Sequence, residues 1–276
     1  MELQALIRKH QRAVAASLDA LSRRSSPQRV HRARVAIRRL RTLLSAASPP
    51  LPASLVDQLR SNLKNIGNDL GAAREADVRC ELLRPILQAL HHTDPATATA
   101  IAERIQAGRT RARRQLRARL RSASLRQRLR ALHRLVNGRD LPKLQAGQAD
   151  ELIDRALRQR LKKVVRGLRK DPDTPARLHA LRIQVKKCRY LLEMPGARNR
   201  NGDSARIYAT LRRLQDCLGE LNDLVETRRS LASLRLQAPA ESAMEKPLRA
   251  SEKAARKRLE SLRRKSRGSR LDLKPQ

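Results

Sequence analysis

The chain has 276 residues, of which 63 are Lys or Arg and 26 are Asp or Glu, so its formal net charge at neutral pH is +37. Aromatic residues make up 1% of the chain, with no Trp and no Phe, whereas 40% of the residues are hydrophobic. Modules that bind single strands or RNA loops usually stack bases on aromatic side chains, so this composition disfavours them. The abundance of strong helix formers predicts an all-α protein.

Helix-breaking segments divide the chain into eight or nine predicted amphipathic helices. In chain order the breakers are 25–27, 49–52, 94–95, 137–142, 171–175, 195–203 and 238–239. Between them apolar residues recur at spacings of three and four, which is typical of helices with one buried face. At Ser26-Pro27 and Thr174-Pro175 the sequence predicts a helix that begins with a capping hydroxyl and a proline in the first turn.

A repeat relates the two halves of the chain. When the sequence is shifted by 148 residues, segment 30–44 lies over 178–192 with five of fifteen positions identical, and Leu70-Gly71 lies over Leu218-Gly219. Two matches in one ungapped register indicate two copies of a helical unit, at 1–145 and 146–265. Residues 266–276 are predicted to be a basic, disordered tail.

Each copy carries a row of cations beside the predicted core face of one helix, as a rotation of about 100° per residue shows. Like charges at i,i+4 destabilise a helix by about 0.2 to 0.5 kcal/mol per pair, so an anionic ligand is expected to offset them. The alternative is a basic face that simply lies in solvent. The occurrence of the same cationic row in both copies makes that interpretation weaker. The predicted polyanion-binding residues are the two rows with Lys64 and its equivalent Arg212: His31, Arg34, Arg38, Arg41, Lys64, His179, Arg182, Lys186, Arg189 and Arg212.

Several neighbouring residues are assigned other roles. Arg32 and Arg39 point away from the first row, which leaves them mainly to solvent. The acids Glu75, Asp77 and Asp223 are expected to orient arginines by ion pairing. For the two row histidines three roles stay open: hydrogen bonding to an anion, structural hydrogen bonding, and metal binding.

No pattern in the sequence indicates an enzyme. Glycine-rich nucleotide-binding motifs are absent, and no dense carboxylate cluster could hold the magnesium ions of a phosphoryl-transfer enzyme. The three cysteines have no metal-site spacing, and no signal or membrane-spanning segment is evident near the N-terminus. We therefore expect a cytoplasmic binding protein with no catalytic residue, no metal and no cofactor.

Four linked motifs resemble the CHAD family, the conserved histidine α-helical domain. The repeated signature reads His31-x-x-Arg34-Val35-x-x-Arg38-Arg39-x-Arg41 and His179-x-x-Arg182-Ile183-x-x-Lys186-Lys187-x-Arg189-Tyr190. The segments Leu70-Gly71-Ala72-Ala73-Arg74-Glu75-Ala76-Asp77-Val78 and Leu218-Gly219-Glu220-Leu221-Asn222-Asp223 are similar to the family's two shorter motifs. Glu75 stands where Asp is usual, and Asn222 stands opposite Arg74 of the first copy.

The resemblance implies two four-helix bundles related by a pseudo-two-fold axis, with a basic central channel that binds inorganic polyphosphate. Many members carry an attached triphosphatase domain, for which 276 residues leave no room, so we expect a stand-alone member. Association with polyphosphate granules is also expected. A nonspecific nucleic-acid binder is the competing hypothesis, since a charge of +37 attracts any polyanion. An enzyme of phosphate or triphosphate metabolism is the third. No membrane partner is expected, and the oligomeric state is left open.

Overall fold

The computed structural model describes residues 2–48, 51–138, 147–194, 202–233 and 238–268. These ranges contain ten α-helices and no β-strand, so the all-α prediction is confirmed. The helices are α1 (Leu3–Arg23), α2 (Pro27–Ala46), α3 (Ala53–Asp69), α4 (Gly71–His91), α5 (Pro95–Arg121), α6 (Ala123–Asn137), α7 (Gln148–Arg169), α8 (Pro175–Leu192), α9 (Gly202–Ala232) and α10 (Ala238–Gly268).

The capping residues explain where several helices begin. The side chains of Ser26 and Thr174 accept hydrogen bonds from the backbone N–H of Arg29 and Arg177, at 3.2 and 3.3 Å, and a proline follows each cap, as predicted. Ser122 caps α6 in the same way through the N–H of Leu125. The sequence prediction passed over this last cap, and so gave fewer helices than the structure has.

The first compact unit consists of Met1–Cys80 and Ile105–Ala156. Within it α1 packs on α2, α2 on α3, α3 on α6 and α6 on α1, so four helices surround one apolar core. The predicted core face of α2 is confirmed, because Ala33, Ile37, Leu40 and Leu44 are at most 2% exposed. This burial fixes the rotation of α2 and therefore the direction of its cationic row.

The second compact unit consists of Glu81–Arg104 and Leu157–Gln276. In this unit α9 packs on both α8 and α10. A Cβ atom on Gly167 of α7 would lie 3.0 Å from Cδ1 of Leu181, so the glycine permits close approach of α7 and α8. Arg263 of α10 donates from Nε to the carbonyl of Leu168 at 2.9 Å and ties α10 to α7. The predicted core residues of α8, Leu181, Val185, Cys188 and Leu192, are all buried.

These units differ from the predicted division of the chain. The predicted boundary between residues 145 and 146 lies outside the described residues, and segment 81–104 of the first copy belongs to the second unit. At the C-terminus α10 continues to Gly268, three residues into the predicted disordered tail, and residues 269–276 lie outside the described part. The division 1–145, 146–265 and 266–276 therefore stays a prediction about the repeats.

The cysteines are free thiols. Cys188 and Cys217 are buried and Cys80 is half-buried, and burial raises the pKa of Cys188 to about 12.

Within the described ranges no helix combines the length and the apolar character needed to cross a bilayer.

Arg39 is half-buried, which corrects the expectation that it lies mainly in solvent, whereas Arg32 is exposed as expected. The charge of Arg39 acts on His10 of α1, whose Nε2 atom is buried. The pKa of His10 is lowered to about 4, first by burial and then by the charges of Arg39 and Lys9. The folded protein therefore holds this imidazole in its neutral form at pH 7.

We expect His10 to make the fold acid-sensitive. The pKa of His10 in the folded protein lies below the ordinary value of 6.5, so the unfolded chain binds a proton more readily. The contribution of His10 to the free energy of unfolding is therefore complete above pH 6.5 and is lost as the pH falls toward 4. The difference corresponds to at most about 3 kcal/mol, and partial exposure reduces this to about 1 to 2 kcal/mol. Urea unfolding measures the stability that each protein loses between pH 7 and pH 4.5. This loss should be smaller for His10→Gln than for the unmodified protein, by the same amount. His133→Gln, at an exposed position, should behave like the unmodified protein; three parallel pH profiles would contradict the assignment.

Candidate functional site

A cleft of about 380 Å³ opens in the first unit between α2, α3 and the first turns of α4. Three cations of α2 and one of α3 line it, and one acid, Glu75, stands at its edge. The lining residues are Arg34, Ile37, Arg38, Arg41, Lys64, Gly67, Asn68, Gly71, Ala72 and Glu75. The structure thus brings together four of the five site residues predicted for the first copy.

Arg34 is fixed at the inner end of the cleft. Its NH1 atom donates to the carbonyl of Gly67 at 3.0 Å, in the last turn of α3, where the helix dipole favours a cation. The same atom lies 3.8 Å from the position that a Cβ on Gly71 would occupy, with Glu75 Oε1 at 3.9 Å. The guanidinium therefore packs close to the start of α4, at a distance where a Cβ on residue 71 would make ordinary van der Waals contact.

The arginines of the cleft raise each other's electrostatic energy. The pKa of Arg34 is lowered, first by burial and then by the charge of Arg38, although Glu75 opposes this. The pKa of Arg41 is lowered by burial and by the charges of Arg60 and Arg38. An anion placed among these groups would offset both effects, because it favours their charged forms.

His31 stands apart from this cleft. It is exposed on the first turns of α2, and it is not among the residues that line the cleft.

The second copy places its predicted residues on α8 and α9. His179 is exposed, and its Nδ1 lies 3.4 Å from Oδ1 of Asn222, a residue of the second shorter motif. Arg182 and Lys186 are half-buried on α8, and Arg212 is exposed on α9. The repeat therefore preserves the order of these cations along their helices.

Arg189 has different surroundings from its equivalent, Arg41. Its NH2 atom donates to Glu193 Oε1 at 3.0 Å and to the hydroxyl of Tyr208 at 2.9 Å, and its guanidinium lies 5.1 Å from the centre of the Tyr208 ring. Burial alone would lower the pKa of Arg189, but the hydrogen bonds that it donates to Tyr208 and Glu193 outweigh burial, and the pKa is raised. The sequence suggested that Arg189 and Arg41 are equivalent. In the structure Arg189 is already paired with Glu193 at the C-terminal end of its own helix.

The acids have separate tasks. The charge of Glu75 favours the charged form of Arg34 in the row. Asp77 is 1% exposed and accepts from Arg109 at 2.9 Å and from Arg113 at 2.8 Å, so it binds α4 to α5 rather than to the row. For Asp223 the structure gives a bond at its backbone carbonyl, donated by Thr227.

Sequence reasoning missed the effect of the Arg60 charge on Arg41, and it missed the pairing of Asp77 with Arg109 and Arg113. The Arg109 and Arg113 pair is visible as an i,i+4 spacing, but its acid lies 32 residues earlier, and no local pattern connects them. Across the described part of the chain, no group of three or more His, Cys, Asp or Glu side chains is placed to hold a metal ion.

Comparison with known proteins identifies this architecture. The family model for the CHAD domain matches residues 5–232. The crystal structure of the CHAD domain from the plant Ricinus communis is similar at 24% identity, with a TM-score of 0.66, over 98% of this chain and 87% of that one. The structure of PptA from Streptomyces chartreusis is similar at 20% identity, with a TM-score of 0.69, over 94% of this chain and 97% of that one. A comparison with curated protein sequences gave no match.

Proposed function

The chain belongs to the CHAD domain family, and from that premise we propose that it binds inorganic polyphosphate, without catalysing a reaction, through the cations of the cleft. The observation that carries the proposal is the convergence of Arg34, Arg38, Arg41 and Lys64 around a space with one acidic neighbour. Such an arrangement is unfavourable when empty, because like charges oppose each other at short range. A polyanion removes this cost.

The chemistry of the cleft suits a linear phosphate polymer. Arginine forms forked hydrogen bonds to phosphate oxygens, and lysine contributes a compact point charge. Binding also releases counterions from the polymer, which makes the affinity fall steeply with salt. No base or sugar needs to be recognised, in agreement with a cleft whose lining has no aromatic residue.

The composition of the cleft supports binding without catalysis. Enzymes of phosphoryl transfer orient metal ions with carboxylates, whereas the single carboxylate at this cleft, Glu75, acts on Arg34. We assign no catalytic residue. Phosphate release from polyphosphate by the purified protein would overturn this part of the proposal and support the phosphate-metabolism alternative.

We extend the proposal to the row on α8, where Arg182 and Lys186 hold the positions equivalent to Arg34 and Arg38. Arg189 is expected to contribute less than Arg41, because its guanidinium already has Glu193 and Tyr208 as partners. A central channel formed by both rows, and a cytoplasmic location with association to polyphosphate granules, are parts of the proposal that the family resemblance supports. Inorganic polyphosphate is the expected partner.

Titration with polyphosphates of defined length, at about 0.05 and 0.2 M salt, tests this function. Because each phosphate contact adds to the salt dependence, the slope of log affinity against log salt should rise with length until the site is filled, and then stay constant. Unlabelled duplex DNA at equal phosphate concentration should displace little of the bound polyphosphate. Complete displacement would instead favour a nonspecific polyelectrolyte binder.

A further inference from the structure

A second cationic surface lies on the first unit, in α5 and α6. Between residues 105 and 138 the sequence has eleven arginines and no Asp or Glu. This segment is outside the repeated signature, and none of its residues lines the cleft. Its charge therefore needs a separate explanation.

The arginines of this segment fall into two classes. Three of them face inward and form ion pairs: Arg109 and Arg113 share the buried Asp77, and Arg128 pairs with Asp69 at 2.8 Å. These ion pairs fix the rotation of both helices about their axes. The remaining arginines are therefore held on the outer surface in a fixed direction.

Six outer arginines form two straight rows, which we call the outer arginine stripe. Their helical positions place three within an arc of about 60° on α5, over a rise of about 10 Å, and three at i, i+4, i+8 on α6, over about 12 Å. All six are exposed: Arg114, Arg117, Arg121, Arg126, Arg130 and Arg134. The guanidinium of Arg126 donates to the backbone carbonyl of Arg121, at the turn where α5 ends and α6 begins.

The spacing and surroundings of the stripe favour one kind of occupant. One strand of a duplex carries a phosphate about every 3.4 Å along the axis, so about three phosphates lie beside each row of three arginines. The segment 105–138 has no aromatic residue on which a single strand could stack its bases. The exposed neighbours Gln115, Ala118 and Gln127 offer no apolar face of the kind that enters a bilayer.

We propose that the outer arginine stripe binds the phosphate backbone of a double-stranded nucleic acid, at a surface separate from the cleft. The contacts are to phosphates, so binding is independent of base sequence. This second activity goes beyond the proposed polyphosphate function and does not depend on it. A protein with both surfaces can hold polyphosphate and a duplex at the same time.

The test uses two variants of the full chain that each remove three charges, so that both carry +34 in place of +37. One is Arg114→Ala, Arg117→Ala, Arg121→Ala, and the other is Arg38→Ala, Arg41→Ala, Lys64→Ala. Fluorescence anisotropy with 30-base-pair DNA and RNA duplexes is measured between about 0.05 and 0.2 M salt, with circular dichroism to show that both variants are folded. Binding of either duplex to the unmodified protein supports the proposal if the stripe variant loses it.

The stripe variant should bind the duplex at least tenfold more weakly at about 0.15 M salt, and its salt slope should be smaller by about 2.7, since three contacts of about 0.9 each are lost. The cleft variant should keep duplex binding within about threefold. Equal losses in the two variants would overturn the proposal, because net charge alone would then explain binding. An unchanged duplex affinity combined with lost binding to phosphatidylserine vesicles would also overturn it and would assign the stripe to a membrane surface.

Discussion

Replacing the four cations of the cleft by alanine should weaken polyphosphate binding by at least a hundredfold. The variant Arg34→Ala, Arg38→Ala, Arg41→Ala, Lys64→Ala lowers the net charge from +37 to +33, which changes the overall field of the protein only slightly. Hydrogen bonds to charged groups contribute about 1.5 to 3 kcal/mol each, so the loss of even two such contacts corresponds to the expected effect. Isothermal titration at about 0.15 M salt measures it, because screening there suppresses general attraction.

A matched control removes four exposed cations of α7, Arg158, Lys162, Lys163 and Arg166, and also carries +33. It should bind polyphosphate within about threefold of the unmodified protein, because screened surface charges contribute little. Since Arg34 also donates to Gly67, a variant that keeps Arg34 and removes the other three separates binding from folding. Equal losses in the cleft and control variants would mean that net charge alone binds the polymer.

Asp77→Asn should destabilise the fold by about 2 to 4 kcal/mol. Asp77 is 1% exposed, and its Oδ1 accepts from both Arg109 and Arg113, whose side chains are only 28% and 19% exposed. Removing its charge leaves two half-buried guanidinium groups without their acid, which is the costly way to break a buried ion pair. Calorimetry should show the melting temperature falling by about 5 to 15 °C.

Asp19→Asn is the control for this substitution. Asp19 pairs with Arg23 at 2.8 Å, but the two side chains are 58% and 77% exposed, so the change should cost less than about 1 kcal/mol. The Asp77 variant, where folded, should keep its polyphosphate affinity, because Asp77 does not line the cleft. Similar melting temperatures for the two variants would show that the Asp77 cluster does not stabilise α4 and α5.

Local patterns in the sequence were sufficient for the faces of the helices. Caps such as Ser26 and Thr174 set where α2 and α8 begin, and the buried positions of each helix then determine where its cations point. The direction of the cationic row on α2 is therefore predictable from the sequence alone. The equivalence of Lys64 with Arg212 indicated that a cation on the helix after α2 belongs to the site. Lys64 of α3 does line the cleft.

The features that could not be predicted depend on partners distant in sequence or on small breaks in a helix. The break between α3 and α4 at Leu70 has no counterpart in α9, which continues through Leu218-Gly219 although the residues match. Arg189 has the same motif position as Arg41, but Glu193 and Tyr208 engage it. In both cases equivalent motif positions have different structural surroundings in the two copies.

The membership of segment 81–104 in the second unit bears on how the chain folds during synthesis. The first unit needs residues up to Ala156, and this segment must wait for the elements of the second unit, of which α10 ends at Gly268. At about 5 to 20 residues per second, the 164 residues from Arg104 to Gly268 take roughly 8 to 33 s to emerge. Until α10 has emerged, Leu83, Leu90 and Ile101, which are buried in the finished protein, lack the complete unit to which they belong. The nascent chain thus carries an apolar segment in need of protection long after its own codons have been read.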